Sequence, residues 1–176
     1  AAIARLPDPP PSRSWRLFVT RADALLKLDR WPEAEADLKR AVAIAPEEPT
    51  TLNYLGYSWA ERGINLAEAF AMIEKAVAKE PGVGAYIDSL GWAHYQRGEY
   101  AEAASNLERA ASLDPGDPTV SDHLGDAYWR LGRFDEARFQ WSHALKLDPD
   151  AALKATLESK LETGLSASAK VTPEAP

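Results

Sequence analysis

An all-α solenoid of stacked antiparallel helix pairs is the fold this 176-residue sequence predicts, on three observations. Residues 88–103 (DSLGWAHYQRGEYAEA) and 122–137 (DHLGDAYWRLGRFDEA) agree at seven of sixteen positions, thirty-four residues apart. Two further copies, 53–69 (NYLGYSWAERGINLAEA) and 19–34 (VTRADALLKLDRWPEA), keep the register, so that Ala34, Ala69, Ala103 and Ala137 are spaced by 35, 34 and 34. Pro46, Pro81, Pro115 and Pro149 repeat the same spacing. Self-similarity at such a period marks units that bury their apolar faces only by stacking on one another.

Taken in order, residues 1–14 are a Pro-rich N-terminal segment in which PDPPPS (7–12) is stiff and extended. AAIARL before it reads as the end of a preceding repeat's second helix, which would make the chain a C-terminal stretch of a longer array. Four helix-pair units follow at 15–48, 49–83, 84–117 and 118–150. In the third, Ile87, Leu90, Gly91 and His94 share one stripe at helical spacing, with His94 expected as a satisfied core histidine. Gly98 turns the chain, and Tyr100, Ala103, Leu107 and Ala110 form the second stripe. Pro115 and Gly116 end that helix, while Asp117 and Pro118 supply the N-cap and first residue of the next. Unit two has one extra residue in its turn, and unit one places Asp29 in the turn slot, a residue that tolerates the left-handed conformation.

Ala22, Gly56, Gly91 and Gly125 are expected where the two helices of a pair approach most closely, since a larger side chain would hold them apart. Trp31, Trp59, Tyr100, Tyr128, Phe134 and Trp141 lie on the packing stripes and are expected in the core. After Pro149, apolar spacing at Leu153, Leu157 and Leu161 predicts a capping helix over 151–163 with a polar outer face. Residues 164–176 are small, polar and Pro-containing and read as a disordered tail.

These units resemble tetratricopeptide repeats, whose signature is W-x2-L-G-x2-Y…A-x3-F…P. The fourth unit gives Ser121-x2-Leu124-Gly125-x2-Tyr128…Ala137-x3-Trp141…Pro149. The third gives Ile87-x2-Leu90-Gly91-x2-His94…Ala103-x3-Leu107…Pro115, and the second Leu52-x2-Leu55-Gly56-x2-Trp59…Ala69-x3-Ile73…Pro81. The first departs most, with Phe18, Arg21, Ala22 and Leu25. The resemblance covers residues 15–149 and implies a right-handed superhelix. The run YLGYSWAERG followed by YIDSLGWAHY is similar to repeats of large bacterial members of the family, some of them envelope lipoproteins that bring substrates to a periplasmic protease. That likeness implies a bacterial protein in the periplasm or cell envelope.

The net charge of −7 argues against nucleic acid, which needs a basic face, and favours a neutral to basic partner. The absence of Cys excludes disulfides, thiolate catalysis and Cys-based zinc sites. No apolar run approaches the roughly 18 residues of a membrane helix, so no direct insertion is expected. His94, His123 and His143 are too scattered for a helical metal pair, and neither metal nor cofactor is expected. Asp122 and Asp126, at i and i+4, could serve as general acid and base, yet no nucleophile, phosphate loop or third ligand accompanies them.

A binding role is the better reading. In the family resembled, the concave side is lined by the face of each first helix turned away from its packing stripe. Helical spacing selects Arg16, Thr20, Asp23 and Lys27; Asn53, Tyr54, Tyr57 and Glu61; Asp88, Ser89, Trp92, Tyr95 and Gln96; and Asp122, His123, Asp126, Trp129 and Arg130. Asn53, Tyr54, Tyr57, Asp88, Trp92, Tyr95, Asp122, Asp126, Trp129 and Arg130 are the expected partner-binding residues: aromatics for buried apolar contact, acids to select Lys or Arg. The expected function is a non-enzymatic scaffold or adaptor for a peptide or protein segment. The alternatives are a structural section that self-associates, an enzyme using the Asp pair, or aromatics that merely pack against a neighbouring helix or a terminal segment folded into the groove.

Overall fold

The structure, a computed structural model, describes residue 7 and residues 10–166. The expectations for AAIARL and for the tail from residue 167 onward lie outside the described residues. Within them run nine α-helices: α1 Trp15–Lys27, α2 Trp31–Ile44, α3 Pro49–Glu61, α4 Leu66–Lys79, α5 Gly84–Gln96, α6 Tyr100–Leu113, α7 Pro118–Arg130, α8 Phe134–Lys146 and α9 Ala151–Thr163. No strand occurs among the described residues.

Local chemistry sets the boundaries. Pro49 and Pro118 open α3 and α7, where a missing N–H costs nothing. The Asp117 carboxylate accepts from Thr119 N–H at 2.7 Å, and Asp150 accepts from Ala152 and Leu153 N–H, capping α7 and α9. Between the helices of each pair the chain turns through a left-handed residue: Asp29, Gly63 with Asn65, Gly98 and Gly132. Asp29, at φ 54°, adopts the conformation its place in the repeat demanded. The extra residue of unit two is absorbed by a second left-handed position, Asn65, immediately before α4.

Packing follows from the small residues. A Cβ on Gly56 would lie 2.8 Å from Ile73 Cγ1, one on Gly91 2.6 Å from Leu107 Cγ, and one on Gly125 2.5 Å from Trp141 Cδ1. The residue at each crossing must therefore be nearly featureless. On the facing helices Ala34, Ala69, Ala103 and Ala137 are fully buried, as are Leu38, Ile73, Leu107 and Trp141 four positions later. Burying each of those aliphatic side chains is worth about 1.5–3 kcal/mol.

The first helices of neighbouring pairs pack on one another (α1 on α3, α3 on α5, α5 on α7), and each second helix lies against the helices adjacent in sequence. The array therefore curves with α1, α3, α5 and α7 on its inner side. α9 packs against α8 through Leu157, which is fully buried, and presents Lys154, Glu158 and Glu162 outward.

One core expectation is corrected. Phe134 is 50% exposed, touching Trp129 edge-on at 4.6 Å, because it is the first residue of α8 and projects ahead of the packed turn. Trp31, in the same register, is closed over by Arg62 of the following pair at 4.2 Å, and no cation of α9 stands over Phe134 among the described residues. Trp59, Tyr128 and Trp141 are buried, and Trp31 and Tyr100 partly so. His94 is satisfied as expected, contacting Glu99 Oε2 through Nδ1 at 2.7 Å and Phe70 edge-on, but it is partly buried rather than in the core.

Candidate functional site

Positions i, i+4 and i+7 of the first helices share the inner face. α3 supplies Asn53, Tyr54 and Tyr57, α5 supplies Asp88, Trp92 and Tyr95, and α7 supplies Asp122, His123, Asp126, Trp129 and Arg130. The structure divides these residues into three zones with different fates.

At the α7 end the face is covered by the chain itself. Lys160 of α9 places Nζ 2.6 Å from Asp122 Oδ1 and 2.8 Å from Asp126 Oδ1, and Trp141 Nε1 donates to Asp126 Oδ1 at 3.0 Å. Burial, then the nearby Asp122 charge, hold the Asp126 carboxyl above the ordinary carboxylate range against the pull of Lys160. Trp129 is half-buried beneath Gly164, where any Cβ would overlap the indole, and Leu161 and Leu165 complete the cover. Arg130 donates through Nε to the Tyr95 hydroxyl at 3.0 Å and through Nη1 to the Ser166 carbonyl at 2.9 Å. Asp122, Asp126, Trp129 and Arg130, expected to meet a partner, are thus engaged by α9 and the residues after it. The reason is register: Lys160 lies thirty-four residues beyond Asp126, one repeat on, so α9 occupies the place a fifth first helix would take.

In the middle zone the aromatics stack on one another. Trp92 lies face to face with Tyr95 (4.6 Å, 5° between planes) and with His123 (4.1 Å, 16°), and Tyr57 tilts against His123 at 6.4 Å. The Tyr95 hydroxyl, desolvated and near Asp126, is pushed up to about 12. His123 Nδ1 donates to Asp88 at 2.9 Å, and both side chains are buried. Burial works against the imidazolium, but Asp88, and after it Asp122 and Asp126, carry His123 above its usual pKa. The Trp92 indole N–H is buried with no hydrogen-bond partner among the described residues.

Among the described residues nothing covers the third zone. A cleft of about 350 Å³ runs across α3, α5 and the start of α7, lined by Asn53, Tyr54, Tyr57, Tyr86, Asp88 and Asp117. Asn53 is only 8% exposed, yet its Oδ1 has no partner among the described residues. The Tyr57 phenol is raised by burial first, then by the carboxylates of Glu61, Asp88, Asp117 and Asp122, so the cleft carries a negative field. Four contributors escaped the sequence reading of the site: Lys160, Tyr86, Asp117 and, as a partner for Asp88, His123. The repeat period held a signal for two of them, since His123 stands thirty-five residues after Asp88 and Lys160 thirty-four after Asp126.

Among the described residues no group of three or more acidic or His side chains is arranged to hold a metal ion, and no helix is long and apolar enough to cross a membrane.

Two family models, both described as tetratricopeptide repeat, match residues 19–83 and 94–161. A TPR repeat-containing protein of Pseudomonas aeruginosa is 35% identical over 85 residues, 48% of this chain. The aligned stretch spans only 14% of that relative's length. Among solved structures, MamA AMB-1 superposes with a TM-score of 0.59 at 22% identity, over 76% of this chain and 79% of its own. The Thermus thermophilus TPR protein TTC0263 gives 0.57 at 20% identity, over 84% and 99% of the two chains. The first TPR of Spaghetti, bound to the HSP90 peptide SRMEEVD, gives 0.57 at 19% identity over 65% and 90%. At these identities the likeness to the three structures is one of fold.

Proposed function

The chain belongs to the tetratricopeptide repeat family, and on that footing we propose that it is a non-enzymatic scaffold holding an extended peptide or protein segment in the open part of its concave groove. The observation that carries this is the uncovered cleft over α3 and α5, walled by Tyr54, Tyr57 and Tyr86. Large, rigid aromatics with polar rims are the usual anchors of a protein interface.

A non-enzymatic role is supported by the fate of the Asp122/Asp126 pair, which Lys160 and Trp141 immobilise and cover. The peptide bound to the Spaghetti repeat is acidic, ending in EEVD. Here Asp88 and Asp117 line the cleft and would repel a terminal carboxylate, so a neutral to basic segment fits this groove. The test is fluorescence anisotropy with a labelled peptide selected from a random library. Tyr54→Ala should weaken binding about thirtyfold, the effect of losing an anchor worth about 2 kcal/mol. Phe139→Ala, on the opposite helix layer, should leave it unchanged; the reverse pattern would move the site off the groove.

Self-association is a second reading, favoured by Phe139 itself, which is 66% exposed on α8 and stacks on His143 at 6.4 Å. Sedimentation over a concentration series, with Phe139→Ala as control, decides it.

A further inference from the structure

We propose that the open cleft is a socket for the ε-ammonium of a lysine in the partner segment, held by Asn53 Oδ1 and the carboxylates of Asp88 and Asp117 within walls of Tyr54, Tyr57 and Tyr86. The inference rests on the groove reading above and specifies its chemistry.

The first support is the orphaned acceptor. A buried carbonyl oxygen without a donor is costly, so an occupant of the cleft gains by donating to Asn53. The second is the charge of the lining. Ser89 already donates to the Ala85 carbonyl, and the Tyr86 hydroxyl is shared with Thr50 at 3.2 Å. Acceptor capacity remains at Asn53 Oδ1, in the lone pairs that Asp88 keeps beyond its bond to His123, and in those that Asp117 keeps beyond the Thr119 N–H. An ammonium has three donors and no acceptor, and its four-carbon stem suits a tyrosine wall.

The geometry separates lysine from its rivals. A guanidinium wants a carboxylate whose two oxygens face it as a fork, but both Asp88 oxygens already converge on His123 Nδ1, at 2.9 and 3.2 Å. An ammonium, whose donors act singly, needs no such fork. A quaternary ammonium suits aromatic walls but carries no proton for Asn53. Anions meet the carboxylates of Glu61, Asp88, Asp117 and Asp122, whose charges add to burial in raising the Tyr57 phenol.

The molecule contains its own precedent. One repeat along the same face, an ammonium sits between two carboxylates and beneath an aromatic: Lys160, with Asp122 and Asp126, 6.0 Å from the centre of the Trp141 ring.

The test selects peptides from a random dodecamer phage library on the full chain, then measures the best binders by calorimetry. Those whose affinity falls in Tyr54→Ala should carry a lysine. Replacing that lysine by norleucine should cost about a hundredfold and by arginine about tenfold, the scale of charge-assisted hydrogen bonds. On Asn53→Leu, checked for fold by circular dichroism, the norleucine penalty should shrink to about tenfold. The peptide-side substitution keeps the test decisive should that variant not fold. Groove-dependent peptides without lysine, or an unchanged affinity with norleucine or arginine, overturn the socket and leave the groove reading standing. Binders insensitive to every groove substitution overturn the groove reading and the socket together.

Discussion

At one end of the concave face α7 sets Asp122 and Asp126 beside Trp129 and Trp141; at the other, α3 and α5 set Asn53 and Asp88 among Tyr54, Tyr57 and Tyr86. Both ends combine acceptors with aromatics, and both follow from the same helical register. They differ in what lies over them. The α7 end is closed by Lys160, Gly164 and Leu165, whereas the cleft over α3 and α5 stands open among the described residues. The lesson is that composition marks a face able to hold a cation, while the neighbouring element decides whether the chain fills that need from within.

The strongest way to break this comparison is to remove the internal cation. Lys160→Met leaves two buried carboxylates unpaired and should cost about 3–5 kcal/mol by urea denaturation, largely restored when Asp122→Asn and Asp126→Asn are added. A loss below about half a kcal/mol would mean that Lys160 decorates the closed end rather than holding it. Next comes the apolar seat of α9. Leu157→Ala should cost about 2–3 kcal/mol and raise amide exchange in α9 before α3, measured by exchange mass spectrometry. Uniform exchange across both helices would contradict the division into ends.

A pH series sharpens the boundary between the zones. The folded pKa of His123 lies above 6.5, so its contribution to stability is full below about pH 6.5 and is lost as pH rises through the folded value. The urea midpoint should therefore fall between about pH 6 and 9 in the natural sequence and fall less in His123→Gln; parallel curves would show that the Asp88 pair does not form. The smallest effect belongs to the open end. Tyr54, 36% exposed, should change stability by less than about half a kcal/mol on replacement by Ala, even as it cuts peptide binding. A large destabilisation would make it a packing residue.

Much of this was legible in the sequence, for physical reasons. Gly56, Gly91 and Gly125 announced the crossings because only a missing side chain permits them, and Asp117–Pro118 announced a helix start because cap and first residue are local chemistry. The covering of Asp122, Asp126 and Trp129 was harder to read. The apolar spacing of Leu153, Leu157 and Leu161 says which side of α9 packs, and the register of Lys160 says where its charge falls only once α9 is known to continue the stack. Phe134 failed for a similar reason: a stripe assigns a direction, while burial depends on what the next element brings.

The one-sided seating of α9 has a consequence for how the molecule comes apart. Each helix pair leans mainly on its neighbours, so the array behaves less like a globule with one centre than like a row of coupled switches. Such a row opens piece by piece, and α9, the last helix among the described residues, is held to it by packing on α8 and by Lys160 on α7. When α9 lifts, Lys160 leaves with it, and Asp122, Asp126 and Trp129 are bared in the same stroke. Loosening of α9 and the uncovering of a second acidic, aromatic surface are then one event, which Lys160 and the buried Leu157 both oppose.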